Sequence, residues 1–116
     1  MALRTSSCLS VSLTLHILRA ERYADGEDHQ AAVRRKGIEQ VDSAFGMAED
    51  ELFAGPWAIG DTYTLADPYL YVITRWLPRA ALRQVDAYPK IADHFERMRA
   101  RPAVAEAHRL LGMPPP

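Results

Sequence analysis

The chain has 116 residues, a length that suits one domain and is too short for two ordinary ones. Hydrophobic residues make up 48% of it and charged residues 25%, which is the balance of a folded globular protein and excludes a disordered one. Fourteen basic residues stand against fifteen acidic ones, for a formal net charge of -1. Because this excludes a strongly basic surface, we predict a single domain over residues 1–116 with no nucleic-acid partner.

Cysteine and histidine usage points away from metals and from extracellular cross-links. The single cysteine, Cys8, can form neither an internal disulfide nor a thiolate metal cage. His29, His94 and His108 show no metal-ligand spacing, so we predict no metal site and no cofactor. The sequence carries no signal-peptide cleavage pattern and no run of about 18 apolar residues, so we predict a cytoplasmic chain with no membrane partner.

The first predicted element, residues 6–22, fits two structures. Its apolar residues alternate as in a half-buried strand at Leu9, Val11, Leu13, Leu15 and Ile17. A helical face is traced equally well by Leu9, Leu13, His16, Ile17 and Ala20. The periodicity alone leaves strand and helix open.

A long amphipathic helix is predicted next. Its apolar seam advances by three or four residues at a time, through Ile38, Val41, Phe45, Ala48 and Leu52. Three consecutive acids, Glu49, Asp50 and Glu51, are predicted to face solvent. Gly55 and Pro56 then end the helix.

The strongest local signal is a helix start at Thr64. Its hydroxyl can cap the first turn, and the carboxylate of Asp67, three residues later, can accept the backbone N–H of Thr64. Both residues are therefore interpreted as structural N-cap residues and not as catalytic groups. Trp57 and Ile59, in the loop before the helix, are predicted to be buried beneath it. The helix is apolar nearly all round, which is typical of a central helix, and its apolar residues are Leu65, Ala66, Tyr69, Leu70, Val72, Ile73, Trp76 and Leu77.

Two shorter helices are predicted at the end of the chain. One runs through Ile91, Phe95 and Met98, and the other follows Pro102, a residue suited to a first helical position. Gly112 ends the last helix. Together these elements predict an all-α fold, a helical bundle of about five helices.

The central motif resembles a known family. Residues 57–76 read W-x-I-G-D-x-Y-T-L-A-D-P-Y-L-Y-x-x-x-x-W, which resembles the core of the C-terminal domain of glutathione S-transferases, especially of the bacterial beta-class-like members. The Y-P at 88–89 and the R-P-A-V at 101–104 match the ending of the same domain. The resemblance covers about residues 9–112, and it implies the all-helical fold of that domain.

The resemblance also implies what a complete enzyme of the family contains. Such enzymes have an N-terminal thioredoxin-like domain, which binds glutathione and supplies the catalytic residue. We expect this chain to lack that domain, so no catalytic residue is assigned and the chain alone is expected to be inactive. Glutathione would be a co-substrate only if a thioredoxin-like half is supplied.

Three residues are implied as substrate contacts, namely His16, Arg75 and Trp76. In the beta class the histidine of the first helix, residues 13–22 here, points toward the thiol substrate, where an imidazole would help to hold a thiolate. Arg75 and Trp76 end the helix that borders the substrate cleft, so the indole would line a hydrophobic pocket. The alternatives are a His16 with no role in binding and a Trp76 that belongs to the core.

The resemblance therefore implies a domain that forms the hydrophobic-substrate side of a glutathione-conjugating enzyme, either truncated or separately encoded. Its partners would be a hydrophobic electrophile and either a second copy of the chain or a separate thioredoxin-like half. The alternative is a non-catalytic helical module for protein interaction, as similar domains serve in translation-associated proteins.

Overall fold

The computed structural model describes residues 16–77 and 85–116, and these ranges fold into helices joined by turns. The expectations placed on residues before 16, Cys8 among them, lie outside the described residues. The predicted all-α fold is confirmed. The α-helices are α1 (Glu27–Met47), α2 (Ala66–Thr74), α3 (Pro89–Arg99) and α4 (Pro102–Leu110), accompanied by 3-10 turns at Ala20–Arg22 and Val85–Ala87 and a π-helical turn at Ala48–Leu52.

The segment whose periodicity was ambiguous is helical where it is described. Residues 16–18 are helical and lead into the 3-10 turn Ala20–Arg22. Ile17 and Ala20 from this segment are buried. The helical alternative, which the family resemblance favours, is therefore the right one for these residues.

Helix α1 buries part of the predicted seam. Glu27 and Asp28 lie in its first turn, where negative charge interacts favourably with the helix dipole. Val41 and Phe45 are buried, as the spacing predicts, whereas Ile38 is exposed. The buried core therefore lies along the second half of this long helix.

One hydrophobic cluster joins α1, α2 and α3. Burial of these side chains removes apolar surface from water, which is the main favourable term in folding. The buried members of the cluster are Ile17, Val41, Phe45, Phe53, Ile73, Leu77, Tyr88 and Ile91.

Helix α2 is not enclosed on all sides by the described residues. Asp67, Tyr71, Ile73 and Thr74 are buried, but Tyr69 and Val72 are 38% and 44% exposed, and Leu65 just before the helix is 89% exposed. The prediction of a fully surrounded central helix is wrong within these ranges. The other described helices pack on one side of α2 and leave an apolar stripe uncovered. Three of the five largest fully buried side chains, those of Ile91, His94 and Met98, belong to α3.

Glu49 corrects a second prediction, because this acid is only 8% exposed. Its Oε1 accepts the backbone N–H of Lys90 at 2.8 Å and its Oε2 accepts that of Ile91 at 3.0 Å. Both donors belong to the first turn of α3, which has no local partners for these groups. Asp50 and Glu51 are exposed, as predicted.

The loop before α2 also differs from the prediction, since Ile59 is 53% exposed and Trp57 is half-buried. The backbone N–H of Trp57 donates to the carbonyl of Gly60 at 3.0 Å, which closes a tight turn. Gly60 has a φ of 86°, a conformation that glycine adopts without strain. This turn directs Ala58 inward and Ile59 outward, so Ala58 is the residue buried beneath the helix.

Helices long and apolar enough to cross a membrane are absent from the described ranges.

Candidate functional site

Asp67 lies in the first turn of α2 and is fully buried. Its Oδ2 accepts the backbone N–H of Thr64 at 2.7 Å, while the hydroxyl of Thr64 accepts the N–H of Ala66 at 3.3 Å. Leu65, the residue directly before α2, already has helical dihedral angles, φ −62° and ψ −15°. The bond from Thr64 N–H to Asp67 is the carboxylate half of a capping box, while the Thr64 hydroxyl accepts the N–H two residues on.

The other carboxylate oxygen of Asp67 makes contacts that extend beyond the helix start. Oδ1 accepts the backbone N–H of Ala58 at 2.8 Å and lies 2.8 Å from Nε2 of His94, a fully buried residue of α3. Burial lowers the pKa of His94 against the opposing effect of Asp67. The imidazole is therefore neutral, with Nε2–H donating to Asp67. Its Nδ1 has no hydrogen-bond partner in the described part of the chain.

A cavity of about 470 Å³ lies between α2 and α4. Trp76, Tyr71 and Val72 line it from α2 and the turn after it, and Val104, Ala107 and Leu111 line it from the opposite side. Met98 of α3 and Met113 of the C-terminal segment complete much of the rest. Its wall is mainly apolar, which is the usual character of a small-molecule site.

The charged groups in the cavity wall are the guanidinium groups of Arg75 and Arg101. The guanidinium carbon of Arg101 lies 3.9 Å from the centre of the Tyr63 ring, which also lines the cavity. No carboxylate from the described residues lines it. The electrostatic character of the cavity is therefore positive.

Tyr71 and His108 form a polar pair in the same wall. Nδ1 of His108 lies 2.6 Å from the carbonyl oxygen of Pro114, and Nε2 lies 3.3 Å from the Tyr71 hydroxyl. Because a carbonyl can only accept, Nδ1 of His108 carries a proton and donates it to Pro114, while Nε2 pairs with the Tyr71 hydroxyl. Burial raises the pKa of Tyr71 above its usual value, so the phenol stays protonated and this pair brings no negative charge.

The structure brings together two of the three residues expected to contact substrate. Arg75 and Trp76 line the cavity, whereas His16 does not. His16 instead stacks on Tyr23, with ring centroids 3.8 Å apart and an interplanar angle of 20°. Arg101 is a cavity residue that the sequence interpretation missed, because its motif indicates a helix start and the ending of the family's domain but no binding role.

Groups of three or more potential metal ligands are also absent from the described residues.

The fold and the cavity can now be set beside known proteins. A family model described as "Glutathione S-transferase, C-terminal domain" matches residues 11–102. The chain belongs to this family, and the predicted family resemblance is confirmed.

A solved structure supports the same assignment. The chain is similar to the crystal structure of a glutathione transferase homologue from Sulfitobacter with bound glutathione, with a TM-score of 0.80 and 27% sequence identity. The match covers 97% of this chain and 61% of that chain, so this chain spans about three fifths of the homologue's length. No curated protein is significantly similar to it in sequence.

Proposed function

We propose that the chain forms the hydrophobic-substrate side of a glutathione-conjugating transferase and works with a thioredoxin-like half. The observation that carries the proposal is the position of Arg75 and Trp76 in an apolar cavity of a family member. The glutathione bound to the Sulfitobacter homologue supports the identity of the thiol substrate. We propose that Trp76 contacts the apolar body of the second substrate, while Thr64 and Asp67 hold α2 in place.

The reaction joins the glutathione sulfur to an electrophilic carbon, and a leaving group such as chloride departs with its electron pair. Free glutathione has a thiol pKa of about 8.5, so only a few per cent is thiolate at neutral pH. The enzyme must raise that fraction, and the thiol proton is released to solvent. In the proposal His16 lies near the sulfur and favours its ionised form.

The chain alone should not perform this reaction. A single side chain such as His16 contributes about 1–3 kcal/mol to binding, whereas micromolar affinity requires about 8 kcal/mol. The groups that hold the tripeptide belong to the thioredoxin-like half in this proposal.

The test is retention on glutathione resin together with conjugation of glutathione to 1-chloro-2,4-dinitrobenzene. We expect the 116-residue chain alone to fail in both assays. Addition of a separately produced thioredoxin-like domain from a beta-class-like transferase should produce both activities. His16→Ala should then lower turnover, while His29→Ala, a change at an exposed histidine of α1, should not.

Two outcomes would contradict the proposal. Retention of the chain alone on the resin would show that it holds glutathione without a partner half. Failure of every thioredoxin-like domain to restore conjugation would favour the non-catalytic interaction module.

We also propose that the chain forms a homodimer in the cytoplasm, a reducing compartment. Residues 6–22, of which 6–15 lie outside the described residues, and residues 28–53 would form the contact between copies. Within their described part, Leu18, Ile38 and Met47 are exposed apolar side chains that such a contact would cover. Sedimentation equilibrium should give a mass near twice that of one chain. A monomer at high concentration would refute the dimer.

A further inference from the structure

We propose that the cavity between α2 and α4 selects ligands with an anionic group, and that its preferred class is an aromatic carboxylate held by Arg75 and Arg101. The inference deepens the proposed function and rests on it for the identity of the cavity as the substrate site. The charge preference itself follows from the cavity wall. Its closing experiment therefore uses the chain alone.

Arg75 and Arg101 have no carboxylate counter-ion among the described residues. Two arginines outside the cavity wall do have one, since Arg99 contacts Glu96 at 2.8 Å and Arg109 contacts Glu106 at 2.6 Å. Neither Arg75 nor Arg101 has a carboxylate within 4.0 Å in residues 16–77 and 85–116. A ligand carboxylate would therefore supply the missing negative charge in a partly water-excluded place.

Both guanidinium groups retain hydrogen-bonding capacity for a ligand. Arg101 packs against the Tyr63 ring at 3.9 Å, a cation–π contact that leaves N–H groups available for a carboxylate. Arg75 donates to the sulfur of Met113 at 3.8 Å, and a thioether is a weak acceptor. Both groups can therefore donate to an incoming anion without losing a strong partner.

The cavity wall joins an apolar surface to the start of α4. Trp76, Val104 and Leu111 provide surface for a ring system. Arg101 and Ala103 line the cavity at the N-terminal end of α4, where the helix dipole is favourable to negative charge. The ligand that satisfies the wall and both arginines has an apolar ring and a carboxylate.

The experiment is calorimetric titration of the 116-residue chain with 1-naphthoate and with its uncharged analogue 1-naphthamide. We expect naphthoate to bind about tenfold more tightly, since hydrogen bonds to charged groups are stronger than neutral ones. Arg75→Gln and Arg101→Gln should each weaken naphthoate binding about tenfold and leave naphthamide binding unchanged. Arg109→Gln removes a positive charge from α4 outside the cavity, so it should change the affinity for neither naphthoate nor naphthamide.

A second variant guards against a folding defect at Arg101. Arg101→Lys keeps the charge and loses the planar stacking group, so it should retain part of the naphthoate preference. Added salt should reduce that preference in the unaltered chain. Equal affinity for the two probes, no binding of naphthoate, or a preference that survives both glutamine substitutions would overturn the inference.

The binding test and the conjugation test of the proposed function can fail independently. Conjugation with 1-chloro-2,4-dinitrobenzene uses an uncharged substrate, so its restoration does not depend on the charge preference. Restored conjugation with equal probe affinities would refute the anion site alone. Naphthoate selectivity without restored conjugation would refute the transferase role and leave the anion site standing.

Discussion

At two helix starts in this chain a carboxylate accepts backbone N–H groups, once from a near residue in the sequence and once from a distant one. At the start of α2 the carboxylate of Asp67 accepts the N–H of Thr64, three residues away. At the start of α3 the carboxylate of Glu49 accepts the N–H groups of Lys90 and Ile91, more than 40 residues away. Each arrangement satisfies donors that a helix leaves without partners in its first turn.

Each of these two caps also makes contacts beyond the start of its helix. The Asp67 carboxylate also accepts hydrogen bonds from the N–H of Ala58 and from Nε2 of His94, so it joins a loop and α3 to α2. The cap of α3 ties the end of the α1 segment to α3, and the ammonium of Lys90 donates back to the carbonyl of Glu49 at 2.8 Å. A local cap and a distant cap therefore both serve as tertiary contacts.

Removal of the Asp67 carboxylate should have the largest effect on stability. Asp67→Ala leaves two backbone donors and the buried His94 ring without their acceptor, so we expect a loss of about 3 kcal/mol. The measurement is the free energy of urea unfolding. Asp67→Asn keeps an oxygen acceptor and should cost less. If Asp67→Ala lowers the free energy of unfolding by less than about 1 kcal/mol, Asp67 contributes only as a helix cap and not as a tertiary contact.

Removal of the distant cap should cost somewhat less. Glu49→Ala leaves the N–H groups of Lys90 and Ile91 without acceptors, for an expected loss of about 2 kcal/mol. Glu51→Ala is the matched control, because Glu51 lies on the same turn and is exposed, and it should change stability by less than about 0.5 kcal/mol. Equal effects of the two substitutions would refute the distant cap.

The pH dependence of stability should report His94. Its pKa is lowered in the folded chain, chiefly by burial and also by Arg97, against the opposing effect of Asp67. The unfolded chain has an ordinary histidine pKa of about 6.5 and binds the proton more readily, so stability is present above that pH and is lost as the pH falls below it. Urea unfolding between pH 8 and pH 5 measures the loss.

His94→Gln keeps a donor to Asp67 and should flatten the pH profile. His29→Gln, at an exposed position of α1, should leave the slope as it is. A slope that His94→Gln does not change would assign the pH dependence to other groups.

The smallest effect is expected for the hydroxyl of the local cap. Thr64→Ala removes the 3.3 Å contact with Ala66 and leaves the Asp67 carboxylate in place, so we expect a loss of about 0.5 to 1 kcal/mol. Thr64→Ser should restore it. If Thr64→Ala costs as much as Asp67→Ala, the hydroxyl and not the carboxylate governs this helix start.

The sequence predicts those parts of the fold that depend on near neighbours. Thr64 and Asp67 are close enough for their pattern to predict a helix start, and Pro89 and Pro102 each stand in the first turn of a helix. Glu49 could not be interpreted in this way, because its neighbours along the chain are other acids and its acceptor role depends on α3. Burial of an acid by a distant helix end has no periodic signal.

The sequence also predicts only part of the candidate site. The family resemblance places Arg75 and Trp76 at a substrate cleft, and the cavity contains both. The contribution of Arg101 arises only when α4 packs beside α2, and a helix-boundary motif does not indicate which way its side chain points. His16 also shows this limit, since its stacking partner Tyr23 lies beyond a turn that the periodicity does not predict.

The tight turn before α2 has a consequence for how substitutions are tolerated. A Cβ atom on Gly55 would lie 2.6 Å from the carbonyl group of Gly60, and backbone atoms cannot move aside as a flexible side chain can. In a saturation mutagenesis survey, position 55 should reject even alanine although it is not buried, while the exposed Ile59 nearby should accept polar residues. Mutational tolerance in this loop therefore follows the separation of two backbone segments and not solvent exposure.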